Sequence, residues 1–232
     1  MLCKNLAGRV SLTSTSNSRQ AALNRLVLAT RNRHKLRELR AILTAAGVSL
    51  DLVSLDGFMY SPGPETGLSC AENALAKASA AAQAIGLPAV ADDSGLCVDA
   101  LGGMPGVFSA RWAGQHGDDE ANVRLLLAQL ADVPDEHRNA HFTCAAAVAL
   151  PDGTSRVVEG RLDGMLTRAP RGANGFGYDP IFQPLGKVHT TAEMSPAEKN
   201  AISHRDNAFR ALAPALAQLL PFPNKVKGPL HQ

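Results

Sequence analysis

Acidic residues in two segments of the chain have the types and spacing of a metal site. Asp92 and Asp93 are adjacent, and we expect them to end a short strand before a turn that contains Gly95. Adjacent side chains on an extended segment point to opposite sides, so one carboxylate can face a cleft while the other takes a backbone or a basic partner. Glu65 lies on a preceding loop and could meet Asp93. Two carboxylates with substrate phosphates are a usual Mg²⁺ arrangement, and the alternative is an Asp-Asp-Ser-Gly turn that stabilises only itself.

A basic turn between a predicted strand and a predicted helix has the chemistry of a phosphate site. Backbone N–H groups at a helix N-terminus bind anions, and a lysine beside them adds a positive charge. The turn differs from a Walker A loop, because the GxxxxGK[ST] pattern is absent. The alternative interpretation is an ordinary polar turn. The predicted phosphate-binding residues of the turn are Thr30, Arg31, Asn32, Arg33, His34 and Lys35.

Residues 172–180 interleave glycines with two aromatic residues in the order GANGFGYDP. Glycines let the backbone come close to a flat ligand, and Phe176 or Tyr178 could stack on a base. The order differs from the GxGxxG fingerprint of a dinucleotide fold, and a loop that places a core aromatic is the alternative. Hydrogen-bond donors follow at Lys199 and at residues 203–205, beside a predicted helix break, where an ordinary basic helix end is the alternative.

Hydrophobic periodicity predicts the elements that must position these residues. The predicted strands are 26–30, 48–53, 89–91, 96–101, 142–150 and 157–167. The predicted helices are one from about Lys35, one over 68–85 with an alanine-rich face, one over 118–131, and one from the S-x-x-E capping box at Ser195 that breaks at 203–205. Strands that alternate with helices predict an α/β fold, with some antiparallel pairing in the middle of the chain.

Composition limits the class of protein. The 232 residues include 23 Lys and Arg against 21 Asp and Glu, and the excess comes from the ends, since residues 1–24 and 222–232 contain no acid. A nucleic-acid-coating surface is therefore not indicated, and no apolar run reaches the ~18 residues of a membrane span. Four dispersed cysteines favour a reducing compartment, and we predict a cytoplasmic protein. We expect a disordered N-terminal extension over 1–24, a catalytic domain over 25–221 and a tail over 222–232.

Five ordered segments resemble the inosine triphosphate pyrophosphatase family, whose members act on non-standard purine nucleoside triphosphates. The segments are VLATRNRHK, ETGLSCAENALAKA, PAVADDSGLCVDALGGMPGVFSARWAG, GANGFGYDPIF and SPAEKNAISHR. The resemblance extends from Leu26 to about Leu220, and five ordered blocks are far more specific than any one of them. The phosphate turn departs from the family in carrying Arg31 and His34 where members often have glycine.

The resemblance implies a role for each candidate residue. Asn32 and Lys35 would be the main contacts to the triphosphate, and Lys77 would be a further phosphate contact. Glu65 and Asp93 would bind Mg²⁺, with one ion per subunit or more when substrate is bound, and Asp93 would also be the catalytic proton acceptor. The base pocket would be formed by Ser94, Phe176, Gly177, Tyr178, Asp179, Lys199, His204 and Arg205.

The resemblance also implies a fold and an activity. The fold would be an elongated α/β structure with two lobes around a central mixed sheet and the active site in the cleft between them. A homodimer would convert ITP, dITP or XTP to the monophosphate and pyrophosphate, without nucleic-acid or membrane partners. Two alternatives stay open: a Maf-like pyrophosphatase of other nucleotides, and a nucleotide-binding sensor without turnover. The sensor would not need both Glu65 and Asp93.

Overall fold

The computed structural model describes residues 25–30, 33–45, 47–48 and 50–220, and describes residues 33, 34 and 38 by their backbone alone. The strands are β1 (Arg25–Leu28), β2 (Asp51–Ser54), β3 (Ala89–Val98), β4 (Pro105–Gly106), β5 (Asn139–Ala149), β6 (Ser155–Leu166) and β7 (Phe182–Pro184). The α-helices are α1 (Arg33–Ala45), α2 (Cys70–Ile85), α3 (Asp119–Gln129), α4 (Pro196–Ile202) and α5 (His204–Leu219). The predicted extension over 1–24 and tail over 222–232 lie outside the described residues.

The strands form one mixed sheet in the order β2-β1-β3-β5-β6-β7, with β4 paired to β3. β1 is parallel to β2 and β3, and the remaining pairs are antiparallel. Parallel neighbours require crossover connections, which α1 and α2 supply on opposite faces of the sheet. The predicted α/β class with antiparallel pairing in the middle of the chain is confirmed. In the described ranges, no helix combines the length and the apolar character needed to cross a bilayer.

β3 shows that one sequence prediction was wrong. We predicted separate strands at 89–91 and 96–101 with a turn at 92–95, but the chain forms a single strand, Ala89–Val98. It pairs along its whole length with β5, and this long antiparallel partner keeps the segment extended. The end of the second predicted strand, residues 99–101, is instead a 3-10 turn.

Gly95 serves close packing rather than a turn. A methyl group at this position would lie less than 3.0 Å from the carbonyl of Gly106, where β4 crosses beside β3. Asp92 and Asp93 therefore lie in the middle of a continuous strand. Consecutive residues of a strand point to opposite faces, so the two carboxylates meet different layers of the protein.

The two faces of the sheet are covered by different kinds of side chain. α1 and α5 cover one face with large apolar residues, including Leu39 and Phe209. α2 covers the other face with the alanine stripe expected from the sequence, packed on alanines of β3 and β5. The fully buried members on the helix are Ala74, Ala78, Ala81 and Ala82. Methyl groups on both sides bring α2 close to the sheet, within reach of the strand's short carboxylates.

A third apolar cluster packs against the far half of β3 and forms a second lobe. It includes Leu96 of β3, Leu126 of α3 and the aromatic residues Tyr178 and Phe182. The other two clusters surround the opposite end of the sheet. The expected two-lobed arrangement around a mixed sheet is thus present, and residues 92–95 of β3 lie between the lobes.

Side-chain caps fix the positions of the last two helices. Ser195 and Glu198 form the predicted capping box, in which each side chain accepts a hydrogen bond from the other residue's backbone N–H. α4 ends and α5 begins at Ser203, whose hydroxyl accepts from the N–H of Asp206 at 3.1 Å. The predicted break is confirmed at Ser203, whereas His204 and Arg205, which were predicted in the break, form the first turn of α5 next to the second lobe.

Gly160 of β6 permits the direct packing of α5 on the sheet. A methyl group there would lie less than 3.0 Å from the His204 carbonyl oxygen and the Ala208 backbone nitrogen. We expect Gly160→Ala to lower the free energy of unfolding by about 1–3 kcal/mol, because backbone atoms must move. Gly57→Ala is the matched control, since nothing lies within 4 Å of the added methyl group. Denaturant unfolding followed by circular dichroism measures both, and equal stabilities would contradict the close approach.

Candidate active site

A lysine joins two carboxylates on the α2 side of the sheet. The Nζ atom of Lys77 lies 2.8 Å from Glu65 Oε1 and 2.9 Å from Asp93 Oδ1. Asn73 lies one helical turn earlier and donates from Nδ2 to the second oxygen of Asp93 at 3.1 Å. Its own Oδ1 accepts from the N–H of Gly67 at 2.8 Å, which fixes the loop that carries Glu65. The two predicted metal ligands are therefore neighbours.

The pKa values of these two carboxylates are shifted in opposite directions by their environments. Burial raises the pKa of Asp93, and the opposing charge of Lys77 does not restore the ordinary value. Burial acts in the same direction on Glu65, but its hydrogen bond to Lys77 and the charges of Lys77 and Arg111, whose Nη1 is 3.8 Å away, hold the pKa of Glu65 below its ordinary value. Asp93 is the stronger base of the two, which is the property a proton acceptor needs.

Asp92 points to the opposite face and has only 2% of its side chain exposed. Its Oδ2 accepts from Lys35 Nζ at 2.7 Å and from Arg205 Nε at 3.2 Å. Burial alone would raise the pKa of Asp92, but the two cations hold it well below its usual range. The prediction that adjacent carboxylates take different surroundings is confirmed, with two basic partners on this side.

A charged cavity of about 350 Å³ lies between these groups. Both acidic and basic side chains line it, so it can hold a polyanion together with a cation. Its polar lining consists of Thr30, Lys35, Glu65, Lys77 and Asp92. Three predicted phosphate-binding residues, Thr30, Lys35 and Lys77, are thus brought to one place.

The remaining residues of the predicted phosphate turn are described only in part. Arg31 and Asn32 lie outside the described residues. Arg33 and His34 form the first turn of α1, and their side chains also lie outside what the structure describes. Lys35 follows in the same turn, so the predicted strand–turn–helix order is confirmed at both of its ends.

A second cavity of about 170 Å³, here termed the aromatic cavity, lies against the far half of β3. All eight residues predicted for the base pocket line it, although they come from four separate segments of the chain. They are Ser94, Phe176, Gly177, Tyr178, Asp179, Lys199, His204 and Arg205. Apolar ring faces and nitrogen donors meet here, which suits a flat heterocycle that carries hydrogen-bond acceptors.

Asp179 lines the aromatic cavity and also connects several of its walls. It is almost fully buried, and its Oδ2 accepts from the Phe176 N–H at 2.8 Å and from the ammonium of Lys199. Its Oδ1 accepts from the Thr191 hydroxyl at 2.8 Å. Both oxygens are engaged within the protein, so Asp179 holds the backbone of Phe176 and the side chains of Thr191 and Lys199 in place. The Lys199 ammonium also lies 4.7 Å from the centre of the Phe176 ring.

His204 lies in the wall of the aromatic cavity as an uncharged ring. It stacks on Phe142, with ring centres 4.9 Å apart and planes inclined by 13°. Burial, helped by the charges of Arg205 and Lys199, lowers the pKa of His204 to about 3. At neutral pH the imidazole therefore offers one donor and one acceptor, and its buried Nδ1 has no hydrogen-bond partner among the described residues.

The glycine-rich loop is attached to the second lobe by hydrogen bonds. The N–H of Gly177 donates to the Asp119 carboxylate at 2.6 Å, at the start of α3. The Tyr178 hydroxyl donates to the carbonyl of Ser109 at 2.9 Å. These contacts place Tyr178 in the core and leave Phe176, with 63% of the residue exposed, at the mouth of the cavity.

Comparison with known proteins gives the family. The model of the Ham1 family matches residues 26–215. This chain belongs to the Ham1 family. The match extends over every predicted site residue, from Thr30 to Arg205.

Similar proteins from three bacteria support the same placement in the Ham1 family. The dITP/XTP pyrophosphatase of Streptomyces coelicolor is 65% identical over 199 residues, which are 85% of this chain and 100% of that protein. The solved dITP/XTP pyrophosphatase of Mycobacterium abscessus is 55% identical with a TM-score of 0.72, covering 83% of this chain and 99% of that one. The HAM1 protein from Coxiella burnetii is 40% identical with a TM-score of 0.78, covering 84% and 98%.

Sequence reasoning missed three residues of this Ham1 site. Asn73 had a usable signal, because it precedes Lys77 by four residues and so shares its helix face. Asp119 and Phe142 had none, since their contacts to the glycine-rich loop and to His204 join segments far apart in the chain.

The buried His204 predicts a pH dependence of stability. Its pKa in the folded chain, about 3, is below the ~6.5 of an unfolded histidine, so protons bind the unfolded chain better. Its contribution is complete above about pH 6.5 and should be lost progressively as the pH falls toward 3. Unfolding at pH 7 and pH 5 should therefore show a smaller loss of stability in His204→Gln than in the parent. An equal loss in both proteins would contradict the neutral buried ring.

Proposed function

We propose that this chain hydrolyses non-standard purine nucleoside triphosphates, namely ITP, dITP and XTP, to the monophosphate and pyrophosphate. The observation that carries the proposal is the position of both cavities along one strand. Asp92 lines the charged cavity and Ser94 lines the aromatic cavity, while Asp93, between them in the strand, points to the α2 side and pairs with Lys77, which lines the charged cavity. A nucleotide lying across β3 would place its triphosphate and its base in separate cavities suited to each. The relatives named as dITP/XTP pyrophosphatases support this substrate class.

Mg²⁺ is the proposed metal, and the residues present fit it. Glu65 and Asp93 direct oxygens at a single ammonium group, so the space between them suits a positive charge. Among the described residues, no group of three or more His, Cys, Asp or Glu side chains could hold a metal ion. Further ligands would then be phosphate and water oxygens, which is the usual coordination of Mg²⁺. When bound, the ion neutralises charge on the phosphate oxygens.

Asp93 is the proposed catalytic base. It accepts a proton from the water that attacks the α-phosphorus, while the bond from that phosphorus to the oxygen bridging the β-phosphate breaks. Pyrophosphate leaves with the electron pair of that bond. Lys35 and Lys77 line the charged cavity on opposite faces of β3, and they stabilise the negative charge that develops on the leaving group.

Base selection follows from the donors of the aromatic cavity. Lys199, Arg205 and a donor tautomer of His204 match the O6 and N7 acceptors of hypoxanthine and xanthine. Adenine presents an amino donor in place of O6, so that a donor would face a donor. A buried polar group left without its partner costs about 1–3 kcal/mol, and sites built to hydrogen-bond a substrate discriminate strongly for this reason.

The proposal includes a cytoplasmic homodimer with no nucleic-acid or membrane partner. The resemblance to the inosine triphosphate pyrophosphatases supports the dimer. The thiols of Cys70, Cys97 and Cys144 are unpaired, which agrees with a reducing compartment. Domain limits at 25–221 remain part of the proposal.

A substrate panel tests the proposed function. With Mg²⁺, we expect pyrophosphate release from ITP, dITP and XTP with kcat/KM at least about tenfold above that for ATP, because one donor mismatch is worth that much or more. UTP and dTTP complete the panel, since a preference for them would favour the Maf-like alternative. Binding of ITP without product over hours would favour the sensor.

The Asp93→Asn variant tests the assignment of Asp93 as the catalytic base with the same pyrophosphate assay. The change keeps the size of the side chain and removes the base, so pyrophosphate release should fall by about a hundredfold or more. The matched control is Asp163→Asn, which breaks an exposed pair with Arg161 and should leave the rate unchanged. Near-normal turnover in Asp93→Asn would overturn the assignment of the base.

The position of Lys77 between Glu65 and Asp93 allows a prediction about metal affinity. Its ammonium neutralises one of two negative charges, so Lys77→Met should strengthen Mn²⁺ binding in the absence of nucleotide by about tenfold. Electron paramagnetic resonance of free Mn²⁺ measures this without turnover. Arg161→Met is the matched control, because that cation pairs with the exposed Asp163 and does not line the charged cavity, so its loss should have little effect. Unchanged Mn²⁺ affinity in Lys77→Met would contradict the site.

A further inference from the structure

Asp92 connects the two cavities, although the proposed chemistry uses its neighbour. One oxygen, Oδ2, accepts both from Lys35 Nζ at 2.7 Å and from Arg205 Nε at 3.2 Å. Lys35 lines the charged cavity, whereas Arg205 lines the aromatic cavity. A single buried carboxylate is therefore in contact with one cation from each end of the nucleotide site.

Lys35 and Arg205 need a negatively charged partner because two different helices bring them close together. Lys35 lies in the first turn of α1, and Arg205 lies in the first turn of α5. Both side chains are long and largely removed from solvent. Without a negative charge between them they would repel each other, and each would have several rotamers to choose from. The Asp92 carboxylate removes the repulsion and fixes both nitrogen atoms through charge-assisted hydrogen bonds.

We propose that Asp92 is a positioning residue that couples the two halves of substrate recognition. It holds Lys35 where the triphosphate binds and holds Arg205 where the base binds, an assignment that rests on the proposed function of the two cavities. Asp92 touches neither the reacting phosphorus nor the attacking water in this account. Its effect passes through its two partners.

The coupling has a signature that a purely structural ion pair lacks. If Lys35 is displaced, binding of every nucleoside triphosphate weakens equally, whatever its base. If Arg205 is displaced, binding weakens only for nucleotides whose base has acceptors that match it. Removal of Asp92 should therefore lower kcat/KM for ATP and lower it further for ITP. Loss of a residue that only stabilises the fold would reduce the fraction of active protein. The kcat/KM values for ATP and ITP would then fall by the same factor, and each KM would stay unchanged.

Asp92→Asn is the decisive variant, because it keeps the shape of the side chain and removes the charge. We expect KM for ITP to rise about tenfold or more, and the ITP-to-ATP ratio of kcat/KM to fall by about tenfold, as for a displaced binding group. In an Arg205→Gln background the ratio should no longer respond to Asp92→Asn. In a Lys35→Met background the loss common to both substrates should disappear.

Asp206→Asn is the matched control. Asp206 lies beside Arg205 in the same helical turn and pairs with Arg210, outside both cavities. This variant should keep the parent KM and the parent substrate ratio. A change as large as that of Asp92→Asn would assign the effect to the charge of the helix start, and would overturn the proposal.

Failure of the proposed function and failure of the positioning role would give different results. If the parent protein fails to hydrolyse ITP, the proposed function fails, whatever the variants do. If the parent is active and Asp92→Asn keeps its KM and its ITP-to-ATP ratio, the positioning role fails alone. Should Asp92→Asn not fold, as judged by circular dichroism, Asp92→Glu decides. It keeps the charge and moves it by one methylene, and a ratio that falls severalfold supports the coupling, whereas the parent ratio overturns it.

Discussion

Strand alternation at two consecutive carboxylates is the constraint on which the rest of the site depends. Asp92 and Asp93 are neighbours in an extended strand, so they cannot serve the same face of the sheet. Each needs a helical layer of its own to supply cations, which is α2 for Asp93 and the pair α1 and α5 for Asp92. Both layers must lie close to the sheet. The alanines of α2 and β5, and Gly160 under α5, make that short distance possible.

The carboxylates Asp92, Asp93 and Asp179 are each paired with groups from other elements of the fold. A carboxylate removed from water is costly unless it is paired and hydrogen-bonded, and Asp92, Asp93 and Asp179 all meet this requirement. Asp179 joins Lys199 of α4 to the backbone of the glycine-rich loop, much as Asp92 joins α1 to α5. The folded chain therefore fixes the orientation of its charges before a ligand arrives, and in a water-poor site such fixed charges act strongly on charge that develops during a reaction.

The sequence predicted what local patterns determine. The capping box at Ser195, the break at Ser203 and the alanine stripe of α2 each depend on residues within one or two turns, and each is confirmed. The prediction of a turn at Asp92–Gly95 was wrong. A glycine that is needed for close packing against a carbonyl cannot be told from a turn glycine until the neighbouring strands are known. Asp179 was predicted in the base pocket and does line the aromatic cavity, but sequence alone does not show that both its oxygens accept hydrogen bonds within the protein. Lys77 was found only through resemblance, as nothing local marks it.

Phe176 is the largest aromatic surface left open to solvent at the aromatic cavity, yet its backbone is held firmly. Its N–H is bound by Asp179, the next residue's N–H by Asp119, and the Lys199 ammonium lies over its ring. A ring fixed in this way loses little freedom when a second ring stacks on it, so most of the attraction between the two faces is retained as binding free energy. The exposed phenylalanine is thus a preorganised surface, and the conformational entropy of ordering it is lost during folding rather than on binding.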